Sequence, residues 1–130
     1  MPLAVQSLDH VTIVVKDLAA TKNFYVDLLG MREVARPKFS FVGQWFQAGP
    51  TLIHTILEAE GTGRAGFTRE ENTRGHHFAF LIEDAQAAYQ TLQERCVPVI
   101  SPPRTRPDGA VQVFLQDPDG HLVELCSVPR

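Results

Sequence analysis

Short runs of alternating apolar and polar residues, each followed by a stretch with helical spacing, divide the chain into two similar halves. Leu8 to Val15 alternates and is rich in β-branched residues. That pattern predicts a strand with Val11, Ile13 and Val15 on one face and Leu8, His10, Thr12 and Val14 on the other. Asp17 suits a helix N-cap. Leu18, Ala19, Thr21, Phe24, Tyr25, Leu28 and Leu29 form a helical stripe, and Gly30 fits the position just past the helix end. Met31 to Ala35 is expected as a short second strand, with a turn at Pro37. Phe39 to Gln47 is expected as a third strand closed by Gly49-Pro50. Thr51 to Glu58 is the fourth, with Leu52, His54, Ile56 and Glu58 on one face and Ile53, Thr55 and Leu57 on the other.

Glu60 to Gly75 carries Gly61, Gly63, Gly66 and Gly75 among mixed charges, which is long for a loop in a compact domain and reads as a linker. The plan then repeats. A strand starts near His77, with Phe78, Phe80 and Ile82 where the first copy has Val11, Ile13 and Val15. Asp84 caps a helix carrying Ala85, Ala88, Tyr89 and Leu92 and ending near Arg95. Val97 to Ile100 is expected as a short strand, with turns at Pro102-Pro103 and Pro107-Asp108-Gly109. Val111 to Gln116 and Leu122 to Ser127 are strands joined by the turn Asp117-Pro118-Asp119-Gly120, and Val128-Pro129-Arg130 is a tail. His10 and His77 lie 67 positions apart, as do Asp17 and Asp84. Such an in-register repeat indicates internal duplication, with a period too long and a copy number too low for a solenoid. The expected fold class is α+β, with two βαβββ modules in one domain spanning 1–130. Module one covers about 7–59, the linker about 60–74 and module two about 75–128.

Once the strands have faces, four residues stand out. His10 and His54 lie in the first and last strands of module one, and His77 and Glu124 in the first and last strands of module two. The spacings within the modules are 44 and 47. All four point away from the apolar face expected to meet the helix. If the two sheets curl together, the four side chains can converge into a curved half-barrel metal site. Three imidazoles and a carboxylate suit a divalent transition metal: Zn, Fe, Mn, Ni or Co. A lone strand histidine is usually a hydrogen-bonded polar residue. Four at corresponding positions of a duplicated unit are much harder to assign to accident. His76 points to the opposite face from His77, and His121 is read as surface. Cys126, two past Glu124, shares its face but has no obvious base to activate it.

Composition narrows the classes further. The chain has 130 residues, a net charge of −3 and 21% charged residues. It lacks the basic face that a nucleic-acid partner requires. No apolar run is long enough to span a bilayer, and no signal peptide is visible at the N-terminus. Cys96 and Cys126 have no zinc-ribbon or CxxC spacing, which favours a cytoplasmic protein with free thiols.

From Leu8-Asp9-His10-Val11 to Asp117-Pro118-Asp119-Gly120-His121-Leu122-Val123-Glu124-Leu125 the chain resembles the vicinal oxygen chelate superfamily. That superfamily comprises glyoxalase I, extradiol dioxygenases, methylmalonyl-CoA epimerase, fosfomycin-resistance thiol transferases and bleomycin-resistance proteins. Phe24-Tyr25-Val26-Asp27-Leu28-Leu29-Gly30-Met31 and His76-His77-Phe78-Ala79-Phe80 carry the resemblance in the helix end and the module-two opening. It implies paired βαβββ modules forming a half-open barrel around a divalent metal held by His10, His54, His77 and Glu124. It also implies a homodimer and a small-molecule substrate chelated through two vicinal oxygens. Glu124 matches the glutamate that serves glyoxalases as both ligand and base. The leading expectation is a glyoxalase-like lyase or isomerase. A ring-cleaving Fe(II) dioxygenase is second, since His10, His77 and Glu124 supply two histidines and a carboxylate. A metal-free bleomycin-resistance-type binding protein is third. Bacterial glyoxalase I usually has a carboxylate at the position of His54, so this ligand set leaves the ion one charge more positive and favours anionic oxygen ligands. Phe39, Phe41, Trp45 and Phe46 are candidates for the cavity mouth. Arg64, Arg69, Arg74, Arg104 and Arg106 sit in loops where an anion could be held.

Overall fold

The computed structural model describes residues 1–66 and 72–129. The central part of the expected linker, residues 67–71 with Arg69, and the last tail residue, Arg130, lie outside the described residues. Two compact units, Met1–Phe67 and Thr68–Arg130, are built on one plan. In the first, β1 (His10–Val15) leads into α1 (Leu18–Lys22), which continues as a wider helical turn over Asn23–Leu28. It is followed by β2 (Arg32–Val34), β3 (Gly43–Ala48) and β4 (Thr51–Leu57). In the second, β5 (Phe78–Leu81) leads into α2 (Ala85–Glu94), then β6 (Ser101–Thr105), β7 (Val111–Gln116) and β8 (Leu122–Ser127). The sheets have the same order, β1-β4-β3-β2 and β5-β8-β7-β6. In each, the first strand runs parallel to the last and the remaining pairs are antiparallel. The architecture is therefore α+β with two βαβββ modules, as the alternation pattern predicts.

The two helices start the same way. Asp17 and Asp84 are extended caps whose Oδ1 atoms accept from the amides of Ala20 at 3.1 Å and Ala87 at 3.0 Å. They end differently. The wide turn of the first helix is closed by Leu29 N–H donating to Phe24 O at 3.0 Å. That geometry buries the adjacent rings of Phe24 and Tyr25, and Tyr25 stacks on Phe46 of β3. Gly30 then takes φ +79. After α2 the left-handed position is held by Cys96, at φ +56.

One face of each sheet is core. Ile13, Val15, Phe46, Ile53 and Thr55 are buried in the first unit. Val113, Leu115, Val123 and Leu125 are buried in the second, together with Ala85 and Leu92 of α2. The opposite faces carry the polar residues of interest. Among the described residues, no helix is long and apolar enough to cross a membrane.

Four expectations are corrected. The third strand begins at Gly43, not Phe39. Residues 39–42 are diverted because the Arg36 guanidinium stacks on the rings of Phe39 and Phe41, at 4.8 and 5.0 Å, and donates to Phe41 O at 2.9 Å. The ladder starts where the side chain vanishes, since a Cβ on Gly43 would lie 2.0 Å from Thr55 O. Val97 to Ile100 forms no strand. Pro102 and Pro103, expected in a turn, lie in β6, where they are tolerated because β6 is an edge strand whose register shifts between Ser101 and Arg104. β1 starts at His10, and Leu8 before it is exposed.

Candidate functional site

In the first unit the parallel β1–β4 pair places Thr12 beside His54. His10, two residues earlier, shares Thr12's face and reaches the diagonal neighbour. The imidazoles of His10 and His54 stack with centroids 3.9 Å apart. Trp45, directly opposite His54 in the β3–β4 ladder, covers the other side of that ring at 4.1 Å and 3°. His10 Nδ1 lies 2.8 Å from Asp9 Oδ2, so an Nδ1 proton is held there and Nε2 is the nitrogen left for another partner. His54 Nε2 is buried and has no hydrogen-bond partner among the described residues. Burial first, and the neighbouring His10 second, push the His54 pKa below its ordinary value. His54 thus stands as a neutral donor with an unused lone pair or N–H, a state that costs stability unless something occupies it.

The second unit repeats this geometry with one ligand type changed. Ala79 of β5 is paired with Glu124 of β8, and His77 precedes Ala79 by two residues. His77 Nε2 is 3.0 Å from Glu124 Oε1, with side-chain exposures of 26% and 4%. Phe114, opposite Glu124 in the β7–β8 ladder, meets the His77 ring edge-on at 5.3 Å. Gln112 Nε2 donates to Glu124 Oε2 at 3.1 Å, so both carboxylate oxygens are engaged. Cys126 is buried beside them, and burial first, then the Glu124 charge, push its thiol pKa up.

The donor set fits a divalent ion. His77 Nδ1 lies 2.9 Å from Gly75 O, which can only accept, so Nδ1 carries a proton. A neutral His77 then directs an Nε2 lone pair at a carboxylate lone pair 3.0 Å away, which requires a cation between them, either a proton or a metal. Two donors each about 2.1 Å from one ion, at a right angle, are separated by about 3 Å. The structure brings His10 to His54 and His77 to Glu124, pair by pair.

His121, read as surface, is instead buried. It belongs to a cluster with Asp117 and Asp119 whose donor atoms lie within 4.8 Å of one another. Hydrogen bonds to the Asp117 carboxylate organise this cluster. Asp117 Oδ1 accepts from the amides of Asp119 and His121, and its Oδ2 lies 2.8 Å from His121 Nδ1. The turn between β7 and β8 is braced from within, which draws His121 inward. Of the loop arginines, Arg106 is engaged by Asp108, whose carboxyl it holds down to about 2. Arg104, expected in a loop, lies instead in β6 and donates to Thr73 Oγ1. Phe46 is core, whereas Trp45 stands on the histidine face.

Gln112 escaped the sequence reading. Its place beside Glu124 depends on the β7–β8 register, and the only local clue is the turn that sets that hairpin. Asp9, next to His10, was equally silent, because an exposed acidic residue before a strand is ordinary.

This geometry defines a duplicated module that presents a histidine at the entry to its first strand beside a second donor from its last; His10 opens β1, whereas His77, expected within the strand, immediately precedes β5. The Glyoxalase/Bleomycin resistance protein/Dioxygenase superfamily model matches residues 7–125, and the chain belongs to that superfamily. It is 34% identical to an ethylmalonyl-CoA/methylmalonyl-CoA epimerase of Cereibacter sphaeroides, over 93% of this chain and 97% of that one. It is 28% identical to glyoxylase I 4 of Arabidopsis thaliana, over 97% of this chain and 73% of that one. A solved glyoxalase family protein from Bacillus anthracis superposes with a TM-score of 0.79 at 25% identity, covering 99% of this chain and all of the other.

Proposed function

We propose that the chain is a metal-dependent lyase or isomerase of this superfamily, with His10, His54, His77 and Glu124 as ligands to a divalent ion and Glu124 also as base. The observation that carries the reading is the pairing of His77 Nε2 with Glu124 Oε1 at 3.0 Å, with Nδ1 already committed to Gly75 O. The partnerless Nε2 of His54, at the corresponding place in the first module, supports it. When bound, the ion supplies Lewis-acid polarisation of two vicinal oxygens on a small oxygen-rich substrate. Glu124 removes a proton from the adjoining carbon and returns it to the product. Gln112 keeps one carboxylate oxygen hydrogen-bonded while the other is engaged, so the base does not turn away. Three neutral imidazoles and one carboxylate leave a dication with a net positive charge, which favours an enediolate-like anion. The relatives named as a glyoxylase and an epimerase support this reaction class. A cytoplasmic homodimer belongs to the same reading.

Elemental analysis of protein purified without chelator, beside His77→Ala, tests the proposal. The expected result is about one equivalent of Zn, Ni, Co, Mn or Fe, lost in the variant. Iron with O₂ uptake on catechols would turn the reading to the ring-cleaving dioxygenase. No metal, even after reconstitution, would sink it in favour of a binding protein of the bleomycin-resistance type.

A further inference from the structure

Metal-ligating histidines need their ring planes fixed, commonly through a hydrogen bond from the second ring nitrogen. His10 has such a bond with Asp9, and His77 with the Gly75 carbonyl. His54 has none among the described residues, and its Nε2 is buried and bare. What surrounds it is aromatic. Trp45 lies against one face at 4.1 Å and His10 against the other at 3.9 Å, with interplanar angles of 3° and 14°.

We propose that Trp45 is the positioning residue that holds His54 for metal binding, taking by ring stacking the part that hydrogen bonds take at the other two histidines. This rests on the metal reading above. The torsion that turns an imidazole about its Cβ–Cγ bond is broad, so an unbonded ring samples many orientations. Between two parallel rings it can slide in its own plane but cannot rotate out of it. With both faces covered, a ligand to Nε2 has to lie in the ring plane, the direction a metal–nitrogen bond requires. The ladder makes this arrangement reproducible, because Trp45 is the cross-strand partner of His54. The second module backs its site from the same station, with Phe114 opposite Glu124 and edge-on to His77. There Gln112 and Gly75 already orient the donors, so a ring without stacking suffices. Trp45 is the single tryptophan of the chain, so its emission reports the state of the His54 ring directly.

The test is Co²⁺ titration of the full chain, followed by chelator competition, by the cobalt visible absorption band and by tryptophan emission. Wild type is expected to bind Co²⁺ with quenching of Trp45. Trp45→Leu is expected to weaken Co²⁺ binding about 10- to 100-fold and to alter the cobalt band, the size of effect seen when support of a ligand is lost. Trp45→Phe, which restores a flat ring, should recover most of the affinity. In a His54→Ala background, Trp45→Leu should cost nothing further. Should Trp45→Leu prove too unstable, Trp45→Met supplies the same loss of the planar face with an adaptable side chain. Wild-type Co²⁺ affinity in the non-planar variants would overturn the positioning role and leave the metal reading standing, as would an equal loss in the His54→Ala background. Failure of the wild type to bind Co²⁺ would overturn both.

Discussion

His77 precedes by two residues the cross-strand partner of Glu124, and its Nε2 sits 3.0 Å from the Glu124 carboxylate. His10 stands in the same relation to His54, two residues before Thr12. Both contacts run diagonally across a parallel pair formed by the first and last strands of a module. A strand displays every second residue on one face, so the diagonal is set once the parallel register is set. Intervening loops can change length without disturbing it, which is why spacings of 44 and 47 residues produce equivalent geometry. The modules differ in what fills the last-strand station: a histidine braced by stacking in one, and a carboxylate braced by hydrogen bonds in the other.

Gln112 should matter to stability even without metal. Its amide supplies the hydrogen bond to Oε2 of Glu124, a side chain only 4% exposed. Hydrogen bonds to charged groups contribute about 1.5–3 kcal/mol, and an unsatisfied buried acceptor costs a similar amount. Gln112→Leu is expected to lower the urea unfolding free energy by about 2 kcal/mol. Gln112→Glu should do more harm, because it sets a second carboxylate against the first. Unchanged stability in both variants would mean that water satisfies Oε2 equally well.

Much of this was legible because the chain states one plan twice, once in each module. The paired caps Asp17 and Asp84, the alternating β1, the strand β8 and the turn at Asp117-Gly120 are local signals, and the structure reproduces them. The departures are tertiary. The start of β3 depends on Arg36 meeting two phenyl rings and on the space at Gly43, neither of which periodicity records. β6 contains Pro102 and Pro103 because an edge strand has amides to spare. Burial of His121 follows from one buried aspartate that gathers the turn amides, an interaction across four residues that looks like plain surface polarity in sequence. His10, His54, His77 and Glu124 stand out by face and repeat, whereas the place of Gln112 beside Glu124 needs the β7–β8 register and Asp9 looks like an ordinary exposed acid before a strand.

Cys96 occupies a position built for glycine. Its amide donates to Gln93 O at 3.0 Å and that of Val97 to Leu92 O at 2.8 Å, the paired bonds of a helix end closed by a left-handed residue. At φ +56 a side chain costs about 1 kcal/mol, part of which the greater freedom of unfolded glycine returns. Cys96→Gly is therefore expected to raise the unfolding free energy by about 0.5–1 kcal/mol, and Cys96→Ala to leave it nearly unchanged. A urea midpoint that falls in the glycine variant would contradict this account of the helix end.

The two thiols should react very differently. Cys96 is exposed and Cys126 is buried. The nucleophile is the thiolate, and burial raises the Cys126 pKa, so at pH 8 its thiolate fraction lies below that of an ordinary cysteine and grows only at higher pH. Native protein treated with a disulfide reagent at pH 8 should release one equivalent of chromophore quickly. The second should appear only on unfolding in urea. Two fast equivalents in the native state would show that β8 opens readily at its end.

Asp117 is expected to be the most sensitive residue of the β7–β8 turn. Its carboxylate accepts from two backbone amides at 3.0 and 2.9 Å and meets His121 Nδ1 at 2.8 Å, all in a buried setting. Asp117→Ala strands two amide donors and an imidazole, which predicts a loss of about 3 kcal/mol or more. Asp117→Asn retains the Oδ1 acceptor. Its amide nitrogen can donate to Nδ1 if His121 moves its proton to Nε2, so the expected loss is nearer 1 kcal/mol. Because hydrogen bonds brace the turn, a chelator should shift the unfolding midpoints of wild type and Asp117→Asn by the same amount, whatever ion the sheet-face donors hold. A chelator effect present in wild type and absent in Asp117→Asn would instead make Asp117, Asp119 and His121 a metal site in their own right.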